Sequence, residues 1–294
     1  AGYFFSLYAL TMSVWAKLKK SVPGFRGHNF TFDVTGNESV PQTLPLDAPE
    51  PQNVLHNPSM CRDPSMPYVL PPRAPGDDRK YTVVLDLDET LVYGREGPLY
   101  TRPFLKELLE YLGANFETVV WTAGEREYAK RIIRSIDPHG VIEHCIYRHP
   151  KWFNGSSHWK DLTLCGRDMD HVVLIDNTAD CIRGQAIRAV LVPDFWGGDG
   201  IGDTTLLVIK TLLMHLKKSG HSVREYLPKS PLVSSRFVTS KSGNEMYLYC
   251  LELDKADELI DKEEIAALDD VAELTQTHSG DTVKNVSFIS MPAM

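Results

Sequence analysis

Three observations predict an α/β fold with a mostly parallel sheet and helices on both faces. Short β-branched runs such as Thr82 to Leu87 (TVVLDL) place apolar residues in succession, the pattern of a strand buried on both sides. These runs alternate with helical periods, which implies right-handed crossovers. The runs also end in polar or acidic residues, at the carboxyl edge where open α/β sheets bind ligands.

Five segments are expected along the 294 residues. Residues 1–20 are apolar at first: Gly2 to Ala16 carries no charge and precedes Lys17, Lys19 and Lys20. That run is shorter than the roughly 20 residues of a membrane-spanning helix. An anchor or targeting role, a truncated signal and a buried helix all stay open, and Met12-Ser13 would equally open a soluble N-terminus. Residues 21–79 are interrupted by prolines from Pro23 to Pro75 and read as an irregular arm.

Residues 80–228 carry the α/β pattern. After the first strand, Pro103 opens a helix in which Phe104, Leu105, Leu108, Leu109 and Leu112 recur at helical spacing, with Gly113 as its stop. Phe116 to Trp121 is the second strand and Glu125 to Ser135 the second helix. His171 to Asp176 and Ala189 to Val192 are further strands. Asp203 or Thr204 caps a long helix, Thr205 to Ser219, that ends at Gly220. In residues 229–275, Phe237 to Lys241 and Glu245 to Leu253 flank a Ser-Gly-Asn turn, a hairpin signal, and an acidic helical stretch follows. That stretch reads as a solvated helix or as an acidic docking surface for a protein partner. Residues 276–294 read as a disordered tail.

Hydrophobic residues make up 43% and charged residues 24%, as in soluble globular chains. The net charge of −8 gives no electrostatic reason to coat nucleic acid or anionic lipid. The five cysteines are scattered without a C-x-x-C pair, which argues against a disulfide framework or a structural zinc site. A reducing, intracellular compartment, cytoplasmic or organellar, is the expectation.

The chemistry concentrates at strand ends. Asp86 and Asp88 are two apart at the end of an apolar strand, so their carboxylates leave the sheet on the same side. Such a pair is costly unless a divalent cation or a shared proton lies between them, or unless it is a polar strand terminus capping the next turn through Asp88 and Thr90. Thr122 ends the second strand, as a phosphate-binding hydroxyl or a helix cap. Asp176 and Asn177 end the third, as site residues or turn residues. Lys160, in HWKDL, reads alone as a surface lysine. With adjacent strands about 4.8 Å apart, Asp86, Thr122 and Asp176 could surround one small anion and its metal.

The string LDLDETLV, Leu85 to Val92, resembles the first motif of the haloacid-dehalogenase superfamily, in the form used by phosphatases of the RNA polymerase C-terminal domain. The likeness continues through RPFLKELL, VVWTAGEREYA, YRHPKWFNGSSHWKDL, LCGRDMDHVVLIDN and VPDFWGGDGIGDTTL, from about Tyr81 to Leu227. It implies a Rossmann-like domain with a minimal cap and a Mg²⁺-dependent protein phosphatase acting through an aspartyl phosphate, with phosphoserine or phosphothreonine favoured. Asp86 would be the nucleophile, Asp88 the general acid and base, and Thr122 and Lys160 the phosphoryl ligands. Thr90 and Arg148 would lie on the substrate side, Arg148 alternatively being a surface arginine paired with acid. Asp86, Asp88 through its backbone carbonyl, Asp176 and Asn177 would hold Mg²⁺.

The interval from Thr90 to Arg102 is short, whereas polymerase-tail phosphatases insert a substrate-gripping β-hairpin there. That interval and SIDPHG, Ser135 to Gly140, are similar instead to the phosphatase-like receptor subunit of the mitochondrial inner-membrane translocase. The alternative expectation is thus a non-catalytic or weakly catalytic receptor for preproteins.

Overall fold

The computed structural model describes residues 43–44, 67–95, 97–153, 158–198, 200 and 202–254. The apolar segment 1–20, most of the arm, the acidic stretch and the tail lie outside the described residues.

The central sheet is built from β2 (Thr82–Leu85), β5 (Glu117–Trp121), β6 (His144–Ile146), β7 (Val172–Asp176), β8 (Ala189–Leu191), β9 (Val233–Thr239) and β10 (Glu245–Leu251). Its order is β6-β5-β2-β7-β8-β10-β9, all neighbours parallel except the antiparallel pair β10-β9. The mostly parallel α/β class is the observed one. Val83, Val84, Leu85, Val119, Val120, Trp121 and Val172 to Ile175 are all fully buried. Burying each such side chain is worth about 1.5–3 kcal/mol, so these central strands are fixed in place along their apolar lengths. The apolar runs end at Asp86, Thr122 and Asp176, which are polar but still buried.

Among the described residues the three expected helices are α1 (Leu105–Asn115), α2 (Arg126–Ile136) and α4 (Thr205–Ser219), with two short ones besides, α3 (Ala179–Ile182) and α5 (Val223–Tyr226). Helix α4 has the expected ends. The Asp203 carboxylate accepts from the Thr205 N–H at 2.9 Å, and Gly220 closes the helix with φ 65°. Helix α1 differs, because it continues two residues past Gly113. A Cβ at Gly113 would stand 3.1 Å from Val141 Cγ2, so this glycine answers a close approach rather than a stop.

Three features add to the sequence reading. The interval from Thr90 to Arg102 does hold a small hairpin, β3 (Val92–Tyr93) with β4 (Leu99–Thr101), extended by the backbone of β1 (Thr43–Leu44). The β9–β10 hairpin, the described part of the 229–275 extension, joins the domain: Tyr249 and Cys250 of β10 pair in parallel with Val190 and Leu191 of β8, so the sheet continues past residue 228. The arm is not wholly outside either. Val69 and Leu70 are buried, and the Val69 N–H donates to the Leu164 carbonyl at 2.8 Å. Cys145, Cys165, Cys181 and Cys250 are buried free thiols, and among the described residues no helix is long and apolar enough to cross a membrane.

Candidate active site

The carboxyl edge of β2, β5 and β7 gathers the predicted residues. Asp86 follows β2 directly, and its N–H still donates to the Ile175 carbonyl at 2.9 Å, which holds it level with the end of β7. Thr122 follows β5 in the same way, donating to Ile146 at 2.8 Å. Lys160 arrives from the segment between β6 and β7, with its N–H on the Cys181 carbonyl at 3.1 Å.

The side chains form a connected network. Lys160 Nζ, 1% exposed at its side chain, donates to Asp86 Oδ1 at 2.5 Å and to Asp176 Oδ2 at 2.7 Å. The other Asp86 oxygen accepts from the Thr90 hydroxyl at 3.1 Å, and that hydroxyl also lies 3.2 Å from Asn177 Oδ1. Asp176 Oδ1 accepts the Thr178 N–H at 2.8 Å. Asp88 faces different partners, accepting from the Thr122 hydroxyl at 3.0 Å and from the Tyr128 hydroxyl at 2.5 Å. The two aspartates are thus met by an ammonium in one case and by two neutral hydroxyls in the other.

The electrostatics follow from one cation serving two buried carboxylates. Burial pushes the Asp86 carboxyl up to about 7; Lys160 opposes that rise, and Asp176 and Asp88 add to it. Burial also disfavours a charged Lys160, but the two aspartates outweigh it and hold the ammonium firmly protonated. Tyr128 is pushed well above the ordinary phenol range by burial and by the Asp88 charge, so it remains a donor at neutral pH.

The turn that presents Asp88 is locked rather than loose. Glu89 takes φ 64°, a left-handed conformation that costs a non-glycine residue about 1–2 kcal/mol. Its N–H donates to Val92, its carbonyl accepts from Phe195, and its carboxylate lies 2.6 Å from Arg95 Nε. Arg102, 2% exposed, donates to the Thr90 carbonyl at 3.1 Å, Asp203 at 2.9 Å and Thr205 at 2.8 Å. One buried guanidinium therefore joins the Asp88 turn to the loop before α4.

Arg148 stands apart from this network. It is half-exposed at the rim, with Nε on the Ala123 carbonyl at 2.7 Å and Nη1 3.7 Å from Glu125. It borders the Thr122 loop and also makes the pairing with acid that the sequence left open. Three residues escaped sequence reasoning. Tyr128 looks like one more position on an amphipathic helix, Arg102 has partners a hundred residues away, and Asp194 accepts the Asn177 amide at 2.7 Å across a loop. All three lie in stretches that carry the family likeness, RPFLKELL, VVWTAGEREYA and VPDFWGGDGIGDTTL, but no local pattern marks them as site residues.

Asp86, Asp88 and Asp176 set three carboxylates against the ammonium of Lys160, a negative surplus that a divalent cation matches. Among the described residues no three His, Cys, Asp or Glu side chains form a ready-made cage. That donor set suits Mg²⁺, which keeps several waters and binds through one or two carboxylates plus substrate phosphate. A cavity of about 200 Å³ lies at the opposite edge of the sheet, among Arg73, Asp77, Arg79 and Arg167, whose charges are already paired.

The NLI interacting factor-like phosphatase pattern matches residues 81–224. The chain is 29% identical over 167 residues to the mitochondrial import inner membrane translocase subunit tim50 of Emericella nidulans, covering 55% of this chain and 31% of that protein. It is 33% identical over 150 residues to CTD small phosphatase-like protein 2 of Dictyostelium discoideum, covering 44% and 26% respectively. With the Homo sapiens carboxy-terminal domain RNA polymerase II polypeptide A small phosphatase 1 it shares 28% over 185 residues, covering 56% and 70%. The matched stretch spans a third or less of the first two relatives. Residues 81–224, which carry the Asp86, Asp88, Asp176 and Lys160 network, form a domain of the NLI interacting factor-like phosphatase type.

Proposed function

We propose that this domain is a Mg²⁺-dependent phosphatase that hydrolyses phosphomonoesters, with phosphoserine or phosphothreonine on proteins as its substrate. The observation that carries this reading is the separation of Asp86 from Asp88. One carboxylate is pressed against Lys160 in line with the strand ends, and the other is held a step further out by hydroxyl donors.

Asp86 attacks phosphorus, and the bond to the ester oxygen breaks as Asp88 hands that oxygen a proton. Lys160 and the Thr122 hydroxyl hold phosphoryl oxygens, and Lys160 keeps Asp86 aimed. Water then attacks the aspartyl phosphate while Asp88 takes its proton, returning Asp86 and releasing inorganic phosphate. Asp86, Asp176, Asn177 and the backbone carbonyl of Asp88 would hold Mg²⁺, which supplies charge neutralisation between carboxylate and phosphate. Among the described residues the cap is a small hairpin, which suits a side chain presented by a protein better than a metabolite that needs enclosure.

Purified protein should turn over p-nitrophenyl phosphate and phosphoserine peptides with millimolar-range Mg²⁺ and lose that activity on dialysis against EDTA. Full activity in EDTA would overturn the metal assignment. A second reading, a phosphatase-fold receptor for preproteins at the mitochondrial inner membrane, is supported by the similarity to the tim50 subunit. Crosslinking to presequence peptides without ester turnover would favour it.

A further inference from the structure

We propose that Tyr128 is a positioning residue that holds Asp88 for the second half of the reaction, the hydrolysis of the aspartyl phosphate. The inference rests on the phosphatase reading above. Asp88 accepts two side-chain hydroxyls, Thr122 on Oδ2 at 3.0 Å and Tyr128 on Oδ1 at 2.5 Å. Two hydroxyls, one on each oxygen, fix the rotation of the Asp88 carboxylate and so the direction from which it meets a water. The arrangement therefore matches the step in which water attacks phosphorus, the bond from phosphorus to Asp86 breaks, and Asp88 receives the proton that water loses.

The two donors have separate origins. Thr122 follows β5, whereas Tyr128 comes from the first turn of α2, two residues past its start at Arg126. Gly124 lets them meet. A Cβ there would stand 2.9 Å from Tyr128 Cδ1, closer than real Cβ atoms approach a neighbour, and a tight 3.1 Å from Thr122 Oγ1. Its own N–H donates to Thr122 Oγ1 at 2.9 Å, which orients that hydroxyl toward Asp88. Asp88 is thus clamped by a strand end and a helix that only a glycine allows to approach so closely. Thr122 also has a phosphoryl ligand's work in the proposed mechanism, which leaves Tyr128 as the donor dedicated to Asp88.

Rapid-quench kinetics on p-nitrophenyl phosphate separates the two half-reactions, because nitrophenolate leaves without a proton and the first step does not need Asp88. In Tyr128→Phe the first turnover should keep within about threefold of its wild-type rate. Steady-state kcat should fall about tenfold or more, KM should fall with it, and phosphorylated enzyme should build up toward one per molecule. Gly124→Ala, which displaces the ring without removing the hydroxyl, should shift the balance the same way. Circular dichroism and the thermal midpoint report whether each variant is folded.

A parallel loss of first turnover and steady state in folded Tyr128→Phe, with no added covalent phosphate, would overturn the role of Tyr128 while leaving the phosphatase reading intact. Absence of turnover by the wild-type protein with Mg²⁺ would overturn both.

Discussion

At the amino edge of the sheet Glu117 opens β5, and at the carboxyl edge Asp86 closes β2; both are nearly fully buried carboxylates on neighbouring strands. Glu117 is surrounded by cations and donors. Arg167 reaches it at 2.6 Å, the Thr82 hydroxyl at 2.7 Å, Arg73 at 3.3 Å and His144 at 3.5 Å. Burial alone would raise its carboxyl, but hydrogen bonds from His144, Arg167 and Thr82 outweigh burial and hold it far below the usual carboxylate range. Asp86 has one ammonium, shared with Asp176, and burial wins. The contrast teaches that burial does not set the state of a carboxylate; the number of cations it can call on does. One edge is neutralised and structural, and the other holds a negative surplus suited to an arriving cation and phosphate.

The largest effect expected from breaking this contrast is at Lys160. Lys160→Met leaves Asp86 and Asp176 facing each other without their shared ammonium, and kcat on p-nitrophenyl phosphate should fall at least about 10²-fold. Unchanged kcat would show that the lysine only supports the fold.

Glu117→Gln acts on the other edge. Removing the charge leaves Arg167 buried without its counter-ion, so urea unfolding at pH 7 should show a loss of about 3–5 kcal/mol, with kcat per folded molecule unchanged. Because the folded carboxyl lies below its unfolded value, its contribution is complete above the ordinary glutamate range and fades as pH falls through it. The gap between wild type and variant should therefore narrow toward pH 3, and a gap constant from pH 7 to pH 3 would contradict the assignment.

Asp86 should show the opposite sign and a smaller effect. Its folded carboxyl is raised to about 7, so its penalty is absent below the ordinary aspartate range and is complete once pH exceeds about 7. In EDTA, Asp86→Asn should melt a few degrees higher than wild type at pH 8 and nearly level with it at pH 4. A lower midpoint at pH 8 would mean that Lys160 fully compensates Asp86.

Much of this was legible in the chain because the signals are local. The β2, β5 and β7 runs are short and apolar with polar ends, and a parallel sheet brings such ends together, so Asp86, Thr122 and Asp176 could be placed at one edge. Helix α4 was readable to its last residue because Asp203 and Gly220 mark its ends. What was missed is non-local. Strand β6 has three residues and no pattern of its own. The β9–β10 hairpin looks self-sufficient until β10 pairs with β8. Val69 and Leu70 sit among prolines, and nothing in their neighbourhood announces burial. Arg102 reads as an ordinary basic residue, and only its distant partners explain why its charge is buried; Lys160 reads alone as a surface lysine and is placed at the site only by the family resemblance.

The division of labour between the two motif aspartates is tested most directly by intact-protein mass spectrometry after rapid quench with p-nitrophenyl phosphate and Mg²⁺. Asp88→Asn should carry one phosphoryl group on most molecules, because Asp86 can attack an ester whose leaving group needs no proton while water is no longer activated. Asp86→Asn should carry none, and neither variant should turn over a phosphoserine peptide. A phosphoryl adduct on Asp86→Asn, or hydrolysis of the phosphoserine peptide by Asp88→Asn at the wild-type rate, would contradict the account.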